Sequence, residues 1–153
     1  MVAWNEFAGA APELAAAGRT LINQFQVGLA FLATVRKDGG PRLHPVCPVF
    51  SDDRLFVLII PASPKCNDLL RDGRYALQSF PQLKAGSEEF YVAGWATLVD
   101  DPPRRAAVFR DAKHMAHESE TAFELLIDRV MHTTWQDILT PQMRAVHQTW
   151  RVP

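Results

Sequence analysis

The sequence predicts a mainly β domain with a few short helices, an antiparallel barrel of six or seven strands with helical decorations. Three observations predict it. Short apolar runs recur along the chain, turn residues separate them at roughly the 8–12-residue spacing of all-β folds, and the 11 prolines and 8 glycines fall mostly between the runs. At 153 residues, 48% hydrophobic and 22% charged, the chain suits one domain with its own core, needing neither disulfides nor a structural metal.

The elements follow in order. Pro12 to Phe25 reads as a helix, with Pro12 in its first turn and Leu14, Ala17, Leu21, Ile22 and Phe25 at helical spacing. Leu29 to Val35 is a nearly continuous apolar run, a strand buried on both faces. Asp38-Gly39-Gly40-Pro41 turns the chain into a second strand, Arg42 to Phe50, and Ser51-Asp52-Asp53 into a third, Leu55 to Ile60. These three form an expected antiparallel meander. Ser63-Pro64-Lys65 opens a short helix, with Ser63 as N-cap and Pro64 at the first helical position. Arg74 to Phe80 is the fourth strand, and Phe90 to Val99 the fifth, with Gly94 marking a bulge or a close approach. A helix from Asp101 to about His117 follows. Phe123 to Trp135 is a long strand whose Phe123, Leu125, Ile127, Arg129 and Met131 share one face at period two, and Ala145 to Val152 is the last strand.

Bulk charge narrows the function classes. Sixteen basic residues against 17 acidic ones leave a net charge of -1, which argues against nucleic acid as partner. No apolar run approaches the roughly 20 residues of a membrane helix. The N-terminal segment lacks a charged n-region and carries Glu6 and Pro12, so it is not expected to be a secretory signal. Two cysteines, Cys47 and Cys66, make no disulfide framework, and a reducing cytoplasm is the expected location.

The second strand is the most informative for chemistry. Alternation puts Arg42, His44 and Val46 on one face, and Leu43, Pro45, Cys47 and Val49 on the other. Pro45 and Pro48 cannot donate ladder hydrogen bonds, so the strand is an edge or is broken. The helix opened by Ser63 offers free N–H groups, a positive dipole end, a hydroxyl and the Lys65 ammonium. If the second and third strands pair, Arg42 and His44 lie beside that helix start, and the four residues form a phosphate clamp. Gln78 is a candidate donor to the edge of a planar heterocycle. Tyr75 and Trp95 read as core or interface. His114 and His117, with Glu118 and Glu120 nearby, lie on one helix face but lack a zinc pattern, so a solvated helix end is favoured. Neither cysteine, nor Ser63 or Ser79, sits in a nucleophile motif.

These segments together carry a resemblance. FLATVRKDGGPRLHPV (31–46), LFV (55–57), SPK (63–65), DLLRDGRYAL (68–77) and EFYVAG (89–94) resemble the pyridoxamine 5'-phosphate oxidase-like FMN-binding split barrels, and most of all their short bacterial members. The similarity spans about residues 12 to 100. FELLIDRV (123–130) through TWR (149–151) follow the family's last two strands more loosely. The resemblance implies a six-stranded Greek-key split barrel, a homodimer, and FMN in a groove at the dimer interface. It assigns Arg42, Ser63 and Lys65 to the flavin phosphate, with His44 as a companion. It assigns Val46, Leu58 and Ile59 to the isoalloxazine through backbone or apolar surface, Gln78 to a polar contact with the flavin, and Trp150 to the partner's flavin. With a shared groove, Phe90 and Trp95 become interface positions. Pyridoxamine 5'-phosphate oxidases carry a further C-terminal region with substrate-binding arginines, which this sequence lacks, so vitamin B6 oxidation is not expected.

The function implied is that of an FMN-dependent oxidoreductase acting on a small molecule, with no catalytic side chain required. One alternative is a reductase using a deazaflavin. Another is a flavin- or haem-binding carrier, sensor or store, for which His147 is the haem ligand to consider.

Overall fold

The structure, a computed structural model, describes residues 1–82, 86–112 and 116–153. Among these, four helices and eight strands alternate along the chain: α1 (Trp4–Ala10), α2 (Pro12–Ile22), β1 (Ala30–Val35), β2 (Pro41–Val46), β3 (Pro48–Ser51), β4 (Arg54–Ile59), α3 (Pro64–Arg71), β5 (Arg74–Ser79), β6 (Glu89–Leu98), α4 (Pro102–Ala112), β7 (Thr121–Gln136) and β8 (Arg144–Arg151). The strands form one antiparallel sheet in the order β2-β1-β5-β6-β7-β4-β3, with β8 paired to β7.

The two ends of that order are the two halves of one expected strand. Arg42 to Phe50 breaks at Cys47: β2 pairs with β1, and β3 pairs with β4. The proline pattern accounts for the break, because Pro48 has no N–H to continue the ladder. Gly28 sits against the Pro48 carbonyl so closely that a Cβ there would collide with it. The break curls the sheet on itself, and it corrects two expectations. The strands number eight rather than six. The second and third strands are not one continuous meander, since β2 has no ladder to β4.

Inside the curl lies the main core, formed by Leu32, Leu55, Val57, Ile59, Leu77, Phe90, Val92, Phe123, Leu125, Ile127 and Val130, with α1, α2 and α3 closing it. Phe90 has no exposed surface, so it is a core residue and not an interface position. Its ring presses on Gly18 of α2, where any side chain would clash with it. Trp95 is partly exposed on the outer side of β6. A second, smaller cluster of Val49, Phe56, Val99, Val108, Ala112 and Ala122 seats α4 on the outside of β3, β4 and β7.

Gly94 is the expected bulge: Ala93 opposes Arg129, and Gly94 opposes Ile127, leaving Asp128 unmatched. A side chain at Gly94 would run into the backbone of Leu126. The extra residue reverses the alternation of β7. Phe123, Leu125 and Ile127 point inward, whereas Arg129 and Met131 point outward and Val130 takes the inner face. The five residues therefore do not share one face.

Helix lengths also differ from expectation. Helix α2 stops at Ile22, where the Asn23 N–H closes on the Arg19 carbonyl and Gln26 at φ 64° turns the chain. Helix α4 is described over Pro102–Ala112, His117 is not helical, and His114 lies outside the described residues. The α1 helix was not anticipated. It buries Trp4 and Phe7, and its Glu6 carboxylate accepts the Ala3 N–H at 2.9 Å. No helix among the described residues is long and apolar enough to cross a membrane.

Candidate functional site

Directly opposed residues of an antiparallel pair point to the same side of the sheet. His44 opposes Leu32, and Arg42 opposes Thr34. Leu32 and Thr34 are both buried, so Arg42, His44 and Val46 face inward at the rim of the curl, as alternation predicts. Leu43 and Pro45 face out, and Leu43 is 63% exposed.

Helix α3 lies against this rim. Ser63 caps it, accepting the Cys66 N–H at 3.4 Å, and Pro64 occupies its first position. The Lys65 amide has no acceptor among the described residues. One turn on, the buried Asp68 carboxylate receives Arg42 Nε at 2.6 Å, Thr34 Oγ1 at 3.0 Å and Arg71 Nη2 at 3.2 Å. These bonds hold its pKa below the usual carboxylate range, although burial alone would raise it. Arg71 also donates to the Val35 carbonyl. Asp68 thus fastens β1, β2 and α3 together.

His44 stands in the field of this cluster. Burial, then the Lys65 and Arg42 charges, hold its pKa below the ordinary 6.5, with Asp68 acting the other way. Its Nε2 is sealed from solvent and has no hydrogen-bond partner among the described residues. A buried, unpaired ring nitrogen beside two cations is costly in the ligand-free chain. An anion seated there would offer Nε2 an acceptor and favour the protonated ring. Arg42, Lys65 and Arg71 set three cations against one carboxylate, so the rim is chemically suited to a phosphate. A depression of about 350 Å³ opens beside Arg42 and Asp68, rimmed by Arg36, Lys37 and Asp38. Two larger cavities, about 620 and 600 Å³, border α4 and touch none of the clamp residues.

The other expected residues lie elsewhere. Val46 is buried beside the clamp on the inner face of β2. Ile59 is 1% exposed in the main core, leaving only its backbone for a ligand. Leu58 packs against the outer cluster near α4. Gln78 opposes Phe31 and Tyr91 on the outer face, across the sheet from Arg42 and His44. Trp150, on β8, packs 5.0 Å from the Phe7 ring of its own chain. Within one chain, Arg42, His44 and Lys65 come together with the Ser63 helix start, while Leu58, Gln78 and Trp150 stand apart. Asp68 and Thr34 were missed; the available signal was a lone carboxylate on the buried, leucine-bearing face of α3.

Among the described residues no three potential metal ligands come together, and His114 is not one of those residues. His117 is exposed and shares a hydrogen bond with Ser119 through Nδ1. Both cysteines are free, and burial raises the Cys47 thiol above its ordinary pKa, making it a poor nucleophile.

Two groups, His44 in the clamp and Asp72 outside it, give the fold a signature in acid. The Asp72 carboxyl, bonded by Arg74, titrates at about 2 rather than 3.8. His44 and Asp72 both bind protons less readily folded than unfolded, so stability rises with pH through each window. Thermal stability should fall as pH drops below 6.5, and fall again from 3.8 towards about 2. In His44→Gln the first decline should flatten; a decline of unchanged size would show that His44 does not cause it.

The sequence matches no protein-family model and no curated protein. Solved structures do match. A haem-binding protein from Mycobacterium smegmatis superposes with a TM-score of 0.61 at 16% identity, covering 86% of this chain and 57% of that one. The chain therefore spans little more than half of that protein. The haem storage protein HutZ from Vibrio cholerae gives 0.59 at 16% identity, covering 77% and 89%. A proposed pyridoxamine 5'-phosphate oxidase from Listeria innocua gives 0.59 at 16% identity, covering 79% and 94%. With a curled antiparallel sheet and short helices closing its core, the chain has the split-barrel fold of the pyridoxamine 5'-phosphate oxidase-like proteins.

Proposed function

We propose that the protein binds FMN and works as a flavin-dependent oxidoreductase on a small molecule, as a homodimer with the flavin in a groove between the two chains. The observation that carries this reading is the sealed, unpartnered His44 Nε2 beside Arg42, Lys65 and the start of α3. These residues would hold the flavin phosphate, with Ser63 adding a hydroxyl. When bound, the flavin supplies the redox chemistry. The chain's part is to fix the phosphate, orient the ring through Val46 and the backbone of Ile59, and limit the access of water.

The outer face of the sheet supports the dimer. Leu43, Phe31, Tyr91 and Met131 flank Ala33, Ala76 and Ala93 across five adjacent strands, and small side chains allow a second sheet to approach closely. Gln78 lies on this face, so it reaches a flavin only where two copies meet.

Purified protein should show an oxidised-flavin spectrum, or acquire one on reconstitution with FMN. Lys65→Ala should weaken FMN binding roughly ten- to hundredfold, as expected for losing a hydrogen bond to a charged group. Unchanged affinity would sink the clamp. The haem-binding and haem storage proteins among the structural neighbours favour a second reading, haem binding without turnover. A Soret band in place of flavin absorption would establish it. A colourless protein that binds neither group would instead move the assignment to a deazaflavin.

A further inference from the structure

We infer that Asp68 is a positioning residue for the phosphate clamp, holding the Arg42 guanidinium by its Nε so that its two terminal nitrogens face the bound phosphate. This rests on the flavin-phosphate reading above.

A carboxylate beside an anion site repels the anion, and Asp68 is 3% exposed, where little solvent screens it. Burying it is costly unless its partners compensate. Here they do, and they come from three separate elements: Thr34 on β1, Arg42 on β2 and Arg71 within α3. The bond to Arg42 is the shortest of the three, at 2.6 Å. It engages Nε alone, and the terminal nitrogens of Arg42 have no other partner among the described residues.

A guanidinium is a planar fork, so fixing one edge fixes the direction of the other. Arg42 needs such help. Its strand is a sheet edge, held by β1 only, and its neighbours Pro41 and Pro45 donate no backbone hydrogen bonds. Left alone, a long side chain on an edge strand would lose rotamer entropy on binding a phosphate. With Nε anchored, that loss occurs during folding, and the site is organised before the ligand arrives. The same carboxylate grips α3 through Arg71, so the arginine and the helix start bearing Lys65 keep a set spacing.

Two roles for Asp68 predict opposite signs. If it acted only as a nearby negative charge, Asp68→Asn would tighten phosphate binding by removing repulsion. As a positioning residue, its loss should loosen binding. The measurement is the ratio of affinities for FMN and for riboflavin, which lacks the phosphate, made on the full chain by fluorescence quenching. Wild type should favour FMN strongly. Asp68→Asn should lower that preference about tenfold while riboflavin affinity, which also reports a folded protein, stays level. Adding Asp68→Asn to Arg42→Ala should cost clearly less than Asp68→Asn costs in the wild-type background. Arg42→Lys should lose the preference much as Arg42→Ala does, because an ammonium cannot bond Asp68 and present a second edge. This variant decides the matter if Asp68→Asn fails to fold. A preference retained or raised in Asp68→Asn, or retained in Arg42→Lys, would overturn the inference. A wild-type protein with no preference for FMN over riboflavin would overturn the phosphate reading itself.

Discussion

A protein carrying both Arg42→Ala and Lys65→Ala is expected to bind FMN at least about a hundredfold more weakly than wild type, with riboflavin affinity nearly unchanged. Each side chain offers a charge-assisted hydrogen bond to the same phosphate, worth about 1.5–3 kcal/mol. The two losses should add incompletely, because either cation alone still draws the anion. Isothermal titration at two salt concentrations would check this. The wild-type preference for FMN should shrink at high salt, since half-buried cations remain partly screened. A double variant that binds FMN as tightly as wild type would remove the clamp from any account of this protein.

Phe90→Ala should destabilise the fold by about 3–5 kcal/mol, the largest single effect expected in the chain. The ring is fully buried, and it meets helix α2 at Gly18, Trp4 of α1 at 6.1 Å and His132 of β7 at 6.5 Å. Gly18 brings no side chain towards the space the ring would leave, and the Phe90 backbone is tied in place by its N–H bond to Ser79 Oγ at 3.0 Å. For a domain of this size the melting temperature should fall by roughly 10 °C. Urea unfolding with an unchanged slope and a loss below about 1 kcal/mol would show that the site collapses, against the packing described.

Most of the strands were legible in the sequence because their signals are local. Apolar runs bounded by Asp-Gly, Gly-Gly and proline mark β1, β4, β5 and β6 without reference to the rest of the chain. The pairing of those strands was less legible. The prolines mark Arg42 to Phe50 as an edge or a broken strand, but they do not say that one half pairs with β1 and the other with β4, partners fixed by residues far along the chain. Helix α1 was missed because seven residues, WNEFAGA, hold too few turns to show periodicity, and its stability comes from Trp4 and Phe7 entering the core. In the candidate site, Arg42 and His44 could be placed on one face by counting, and Lys65 by its helix start. For Asp68 the lone carboxylate among the leucines of α3 was a signal of burial, but nothing in DLLRDG names its partner, an arginine 26 positions earlier.

The unmatched Asp128 makes β7 a strand with two parities. Sixteen residues run without a gap, yet odd positions line the core before it and even positions line the core after it. The bulge, and not the identity of its residue, therefore sets which way the second half faces. Deleting Asp128 would leave both halves facing as they do, with Ile127 and Arg129 as direct, alternating neighbours, whereas drawing it into the ladder would turn Arg129 and Met131 inward and expel Val130 and His132. On either side of this one unpaired residue, a single ladder partner of β6 serves first as barrel wall and then as the support on which β8 and Trp150 hang.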